Sequence, residues 1–79
     1  MLRLIGTNLE NNGVNLVHIC DNLYTLDHQI NPLIYLNAGM ILWVNRGTTY
    51  DVYELTQARN KMTESDEEFI GRIMQVLNV

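Results

Sequence analysis

The 79-residue sequence has a single cysteine, a single proline and only five basic residues. One cysteine excludes an internal disulfide, so packing and hydrogen bonds must hold the chain together. Five basic against nine acidic residues give a net charge of −4. This balance argues against direct binding to nucleic acid or to a membrane surface, since both rely on Lys and Arg. The longest apolar run, residues 40–44, is far below the ~20 residues of a membrane span.

The composition that remains is typical of a small globular domain. Apolar residues make up 47% of the chain and charged residues 18%, which predicts one folded domain over residues 1–79. A chain this short buries only roughly 60–65% of its unfolded surface, and such domains often complete their core by oligomerising or docking. We therefore expect other protein subunits as partners, in an oligomeric assembly. Residues 1–6 contain no apolar segment of signal-peptide length, so we expect synthesis in the cytoplasm and incorporation into a particle built there.

The first half of the chain allows two structures. Residues 2–9 read as a strand, and the run Glu10–Gly13 indicates a turn. Over residues 16–30, apolar side chains recur every three or four positions, which favours a helix that ends before Pro32. The alternative is a hairpin of residues 14–20 and 23–28, because β-branched residues such as Val17 favour strands. The apolar periodicity favours the helix.

The second half predicts extended segments followed by a helix. Residues 33–36 and 40–44 read as strands around a glycine turn, and residues 48–53 favour a strand pairing back on 40–44. A helix opening at Thr48 with Asp51 is the alternative. Ser65 and Glu68 form a capping-box pattern for a helix over 65–78, in which Gly71 suggests a close packing contact.

These elements predict an α+β fold, with a small antiparallel sheet packed against helical segments and an amphipathic C-terminal helix. The expected strands are residues 2–9, 40–45 and 48–54. The predicted core is Leu4, Leu16, Ile19, Leu23, Leu26, Ile30, Leu42, Val44, Phe69, Ile73 and Leu77.

One group of residues has side chains that bind metals or act as nucleophiles: His18, Cys20, Asp21, Asp27 and His28. On a helix, positions 18 and 20 point about 200° apart, so they cannot share an ion. A Cys–His nucleophile pair would need a base that activates the thiol and a third group that orients the base. We expect a buried thiol here with two partly exposed imidazoles, and no metal, no cofactor and no enzymatic activity.

Two groups of residues are candidates for partner binding. Aromatic side chains at Tyr35, Trp43, Tyr50 and Tyr53 could stack on sugars or bases, but on a small sheet they more often serve as core or interface anchors. Acidic side chains at Glu64, Asp66 and Glu67 could present negative charge to a basic partner. Such a run more often caps a helix and stays in solvent.

Residues 26–32, ending in Asn31-Pro32, are followed by Leu33-Ile34-Tyr35 and by Ala38-Gly39-Met40-Ile41-Leu42-Trp43-Val44. This order resembles the second half of a LysM module, most of all the version in phage tail and baseplate hub proteins. The resemblance covers about residues 16–45. It implies a helix that stops at Pro32, a turn at Gly39 and a last strand with Leu42 and Val44 inward and Trp43 outward. Residues 46–79 would add a strand or helix and a C-terminal docking helix.

Three functions follow as expectations. The resemblance implies a virion structural subunit, a LysM-like connector in a phage tail or baseplate that acts through protein contacts. The first alternative is a small acidic inhibitor of phage type, a counter-defence protein that fills a basic groove of a host protein. The second is a peptidoglycan-binding module, which predicts glycan contacts at Tyr35 and Trp43.

Overall fold

The structure, a computed structural model, describes residues 1–27, 38–58, 60 and 62–79. Within these residues the chain forms five strands and one helix, so the predicted α+β class is confirmed. The elements, in chain order, are β1 (Leu2–Leu9), β2 (Leu16–Cys20), β3 (Leu23–Leu26), β4 (Ile41–Asn45), β5 (Tyr50–Leu55) and α1 (Asp66–Leu77).

The five strands form one antiparallel sheet in the order β1-β5-β4-β3-β2. Strands β2, β3 and β4 are each paired with the next strand along the chain, while β1 pairs with β5, the last strand. Among the described strands the sheet therefore has two edges, β1 and β2. A hydrogen bond from the Thr56 N–H to the Met1 carbonyl oxygen, 2.9 Å long, extends the contact between the first and last strands.

The helix predicted over residues 16–30 is wrong for the residues that the structure describes. Residues 16–26 form the β2–β3 hairpin, with Cys20 paired to Leu23 across a two-residue turn. Asp21 adopts a φ of 45°, a left-handed conformation that aspartate tolerates better than most residues. The hairpin prevails because β3 also pairs with β4, so its backbone groups are satisfied on both sides. Pro32 and the predicted strand 33–36 lie outside the described residues.

The hairpin of β4 and β5 confirms the strand prediction for the ambiguous segment after residue 48. Tyr50 pairs with Asn45, and the register continues to Glu54 opposite Ile41. In the connecting turn the Arg46 N–H donates to the Thr49 carbonyl oxygen at 2.9 Å, and Asn45 Oδ1 accepts from the Gly47 N–H at 2.8 Å. The alternative helix opening at Thr48 is therefore wrong.

Helix α1 begins where its capping box predicts. Ser65 Oγ accepts from the Glu68 N–H at 3.1 Å, and Glu68 Oε1 accepts from the Ser65 N–H at 3.2 Å. The two bonds satisfy donors that a helix start otherwise leaves free. Phe69, Ile73 and Leu77 are buried along one side of the helix, as their spacing predicts. A Cβ at Gly71 would meet nothing within 4 Å, so the predicted close contact at Gly71 is wrong.

The core lies between α1 and one face of the sheet. It contains six of the predicted residues together with Met40 and Leu55, which were not predicted. Leu4 is 53% exposed and Leu16, Ile19 and Leu26 are only half-buried, so these four predictions of core position were wrong in whole or in part. Each of the four lies on an edge strand or on the strand beside it. Ile30 lies outside the described residues.

Candidate protein-binding face

Strand β4 divides its side chains between two faces of the sheet. Leu42 and Val44 are fully buried in the core with α1, while Trp43 between them points to the opposite side because side chains alternate along a strand. We call this opposite side the outer face. The prediction that Leu42 and Val44 face the helix while Trp43 faces away is confirmed.

The strand register places a row of side chains across the outer face. Residues directly opposite each other in antiparallel strands share a face. Val52 pairs with Trp43, Trp43 with Tyr24, and Tyr24 with His18. The row thus crosses β5, β4, β3 and β2 in one line. Tyr50 lies diagonally beside Trp43 on the same face.

The aromatic rings in this row contact one another in tilted and edge-to-face arrangements. The ring centroids of Trp43 and Tyr50 are 5.6 Å apart at an interplanar angle of 70°, and those of Tyr24 and Tyr50 are 6.1 Å apart at 82°. His18 and Tyr24 are 5.0 Å apart at 51°. Such geometries are the preferred ones for aromatic pairs. We call His18, Tyr24, Trp43 and Tyr50 the aromatic cluster.

Within the cluster, Trp43 is not the contact residue that the sequence predicted. Its side chain is 8% exposed, and its neighbour Val52 is 4% exposed. The indole Nε1 is buried and has no hydrogen-bond partner in the described part of the chain. Trp43 is therefore a packing residue beneath the other rings, and a molecule docking on this face would first meet the side chains around it.

The accessible part of the cluster consists of Tyr24 and Tyr50, which are half-buried, and His18, which is exposed. The His18 ring holds its position through Nε2, which lies 2.8 Å from the Asp21 carbonyl oxygen. Leu9, 40% exposed, pairs with Tyr50 and extends the apolar surface onto β1. Tyr24 and His18 are absent from the predicted site because the apolar spacing places them on a helix. The Asp21-Asn22 turn was the signal that could have found them.

The other predicted aromatic residues do not join this cluster. Tyr53 pairs with Leu42 and so points to the α1 side, where it packs against the core. Its hydroxyl lies 3.4 Å from Arg46 Nη2. Tyr35 lies outside the described residues. The predicted group of four aromatics is therefore divided, with Trp43 and Tyr50 on the outer face and Tyr53 on the opposite side.

The acidic side chains around the start of α1 are largely engaged within the chain. Glu64 Oε1 accepts from Arg72 Nη2 at 2.9 Å, and Glu68 belongs to the capping box. Asp66, Glu67 and Glu68 occupy the first turn, where negative charge stabilises a helix. This arrangement favours the capping role over a surface that mimics phosphates.

Of the five residues considered for metal or nucleophile chemistry, the structure describes four: His18, Cys20, Asp21 and Asp27. Among the described residues no group of three His, Cys, Asp or Glu side chains could hold a metal ion. Burial, and secondarily the charge of Asp21, raise the pKa of the Cys20 thiol above its ordinary value. A raised pKa keeps the thiol protonated and unreactive. His28 lies outside the described residues.

Fold and site together define a small two-layer α+β protein with an aromatic outer sheet face. The described residues contain no helix with the length and apolar character needed to cross a membrane. No known protein family, no curated protein and no solved structure matches the chain.

Proposed function

We propose that the chain is a non-enzymatic subunit of a protein assembly, which binds a partner protein through the outer face of its sheet. The observation that carries this proposal is the aromatic cluster on the sheet face opposite α1. Aromatic side chains are enriched at protein interfaces, and tyrosine combines a large apolar ring with a polar group.

The charge distribution on the outer face supports a protein partner. The register places one ion pair there, between Arg3 and Glu54, toward one end of the face. The centre of the face carries Tyr24, Tyr50 and Val52. Interface cores are depleted in charged residues, and the ion pair of this face lies at one end of it, away from the tyrosines.

The hydrogen-bonding state of the tyrosines is a second support. Neither the Tyr24 nor the Tyr50 hydroxyl bonds to another group among the described residues. Each hydroxyl can therefore bond to a donor or acceptor of a partner, and such a bond would limit the cost of burying the hydroxyl.

The narrower function, a LysM-like connector of a phage tail or baseplate, depended on a helix over residues 16–30. Residues 16–26 form a hairpin instead, so this segment does not favour a tail or baseplate connector. The aromatic cluster favours a role in a protein assembly without specifying which assembly. The inhibitor alternative is weakened because Glu64 and Glu68 bond within the chain. The peptidoglycan alternative loses Trp43 as a stacking residue because the indole is covered.

The test is a partner capture with matched charge insertions. A photo-crosslinking residue replaces Tyr24 in cells that naturally produce the chain, the captured protein is purified, and its affinity for the variants is titrated. His18→Glu places a charge on the outer face at an exposed position, and we expect it to weaken binding about tenfold or more. Val76→Glu places the same charge on the exposed side of α1 and should leave the affinity unchanged.

Two outcomes would reject the proposal. The first is that no protein crosslinks from position 24 or from position 50. The second is that a captured protein binds His18→Glu as tightly as the wild-type chain but loses affinity for Val76→Glu, since the binding surface would then lie on α1.

A further inference from the structure

Strand β1 is an edge of the sheet formed by the described residues, and its sequence has few of the features that usually protect an edge. It is the longest of the described strands, with eight residues, and contains one charged residue, Arg3, and no proline. Arg3 is already paired with Glu54 of the neighbouring strand. Soluble monomers normally protect an edge with charges, prolines or a covering segment, because its free backbone groups can pair with another chain.

Large apolar side chains are exposed along this edge. Leu4 is 53% exposed, Ile5 48% and Leu9 40%. These three make up half of the six large apolar side chains that are exposed among the described residues. The strand has two irregularities in its register with β5, one between Leu4 and Gly6 and one between Gly6 and Leu9. Bulges often protect an edge by twisting it away. Here the first bulge lies at Ile5 itself, so it presents apolar surface instead of hiding it.

We propose that the occupant of this edge is a second copy of the chain, whose β1 pairs with it in the antiparallel direction. The charges at the two ends of the strand favour this occupant and this direction. Arg3 lies near its start, and Glu10 follows its end. Glu10 is exposed and forms no ion pair within the described part of the chain. Antiparallel pairing of two copies brings each Arg3, which keeps its ion pair with Glu54 of its own copy, toward the other copy's Glu10, whereas parallel pairing would bring like charges together.

A twofold axis perpendicular to the sheet generates this pairing, and it has a geometric consequence. The interface is isologous, so each copy uses the same patch. The two sheets join into one sheet of ten strands, and both α1 helices lie on the same side. The two outer faces then lie side by side, which doubles the width of the aromatic surface without covering it. The dimer does not depend on the proposed function, because it forms without a partner.

The first test measures the molar mass of the purified chain by sedimentation equilibrium over a range of concentrations. We expect a reversible monomer–dimer equilibrium. Ile5→Lys inserts a charge at the exposed edge and should raise the dimer dissociation constant about tenfold or more. Val76→Lys introduces the same side chain on α1, where Val76 is 58% exposed, and should dimerise like the wild-type chain.

The second test separates the specific charge pairing from the general charge of the protein. Glu10→Lys and Glu67→Lys raise the net charge by the same amount, and both positions are exposed. If only general repulsion opposes association, both variants should dimerise more tightly. With Arg3 facing Glu10 across the interface, Glu10→Lys should weaken the dimer roughly two- to fivefold while Glu67→Lys should not. The difference should shrink in high salt.

A chain that stays monomeric at every concentration would overturn the proposal, as would a dimer that Ile5→Lys leaves intact. A dimer weakened by Ile5→Lys but strengthened equally by both charge reversals would also overturn the antiparallel arrangement. None of these outcomes bears on whether the outer face binds a partner, because that experiment measures binding to a captured protein through His18.

Discussion

Arg46 Nη2 lies 3.1 Å from the carbonyl oxygen of Leu77, so the β4–β5 turn supplies a cation to the end of α1. The last turn of α1 has no basic residue of its own. A positive charge at this end stabilises a helix, because the free carbonyl groups carry partial negative charge. The contact joins two segments that are 31 residues apart in the sequence.

The same guanidinium connects α1 to the far edge of the sheet. Arg46 Nε donates to Asp51 Oδ2 at 3.3 Å, and the Thr7 hydroxyl donates to Asp51 Oδ1 at 2.6 Å. Thr7 belongs to β1 and Asp51 to β5. The network therefore links the helix end, the β4–β5 hairpin and the edge strand, which makes Arg46 a test of how these parts hold together.

We expect Arg46→Gln to lower the free energy of unfolding by about 1–2 kcal/mol, since it removes a charged hydrogen bond to the helix end and the ion pair with Asp51. Urea denaturation followed by circular dichroism measures the change. Arg72→Gln is the matched control, because the Arg72 side chain is 51% exposed and its pair with Glu64 should contribute about 0–1 kcal/mol. Equal effects of the two substitutions would show that the helix-end contact adds nothing.

The stability of the protein should fall with acidification through Asp51. The Thr7 hydroxyl, and then the Arg46 guanidinium and the Asn8 N–H, hold the pKa of Asp51 below its ordinary value of 3.8. A group with a lowered folded-state pKa stabilises the fold above its unfolded pKa and loses that contribution as the pH falls through the folded pKa. The stability difference between wild type and Asp51→Asn should thus be full at neutral pH and shrink below about pH 3.8.

Denaturation curves at pH 7 and pH 3 for both proteins measure this loss. Thr7→Val removes the largest cause of the shift, so an NMR titration of the Asp51 carboxyl should show a higher pKa in that variant. A constant difference between wild type and Asp51→Asn across the acidic range would contradict the assignment.

Much of the fold follows from local sequence signals, and the failures have physical causes. The capping box at Ser65 and Glu68 located α1 because both of its bonds are made within four residues of each other. The spacing of Leu16, Ile19, Leu23 and Leu26 fits a helix equally well on paper. The irregularity between His18 and Cys20 shifts the alternation of β2, so the hairpin does not show a simple period of two.

The order of the strands in the sheet could not be predicted from the sequence either. Leu4 was predicted to be buried because its strand alternates correctly, but β1 lies at an edge of the sheet and bulges at the next residue. Edge position depends on which strands pair over long sequence separations. For the site, the aromatic residues were recognised as anchors, but their division between two faces depended on the register.

The single tryptophan makes the packing of the outer face directly measurable. Trp43 is 8% exposed and contacts Tyr50, so its fluorescence emission should be shifted to short wavelength and resist quenching by iodide. Tyr50→Ala removes a covering ring and should shift the emission toward that of an exposed indole. Tyr53→Phe on the opposite side should not change it. Ready quenching in the wild-type chain would mean that Trp43 is exposed after all.

Loss of the capping box should have a defined cost. Ser65→Ala removes the acceptor for the Glu68 N–H and should destabilise the chain by about 1 kcal/mol. Thr63→Ala, at an exposed position just before the helix, should change stability by about 0.5 kcal/mol or less. Thermal melts followed at a helical wavelength measure both. If Thr63→Ala cost as much as Ser65→Ala, the helix start would not depend on the side-chain acceptor.

Gly71 and Gly39 allow the effect of backbone conformation on stability to be tested separately from steric clash. A Cβ at Gly71 or at Gly39 would meet nothing within 4 Å. Gly71 lies inside α1, where alanine is favoured over glycine by about 1 kcal/mol, so Gly71→Ala should raise the free energy of unfolding by about 0.4–1 kcal/mol. Gly39 has a φ of 89°, a conformation that disfavours a side chain, so Gly39→Ala should lower stability by about 1–2 kcal/mol. Because neither variant creates a clash, a gain from Gly39→Ala or a loss from Gly71→Ala in urea denaturation would contradict the backbone conformation at that position.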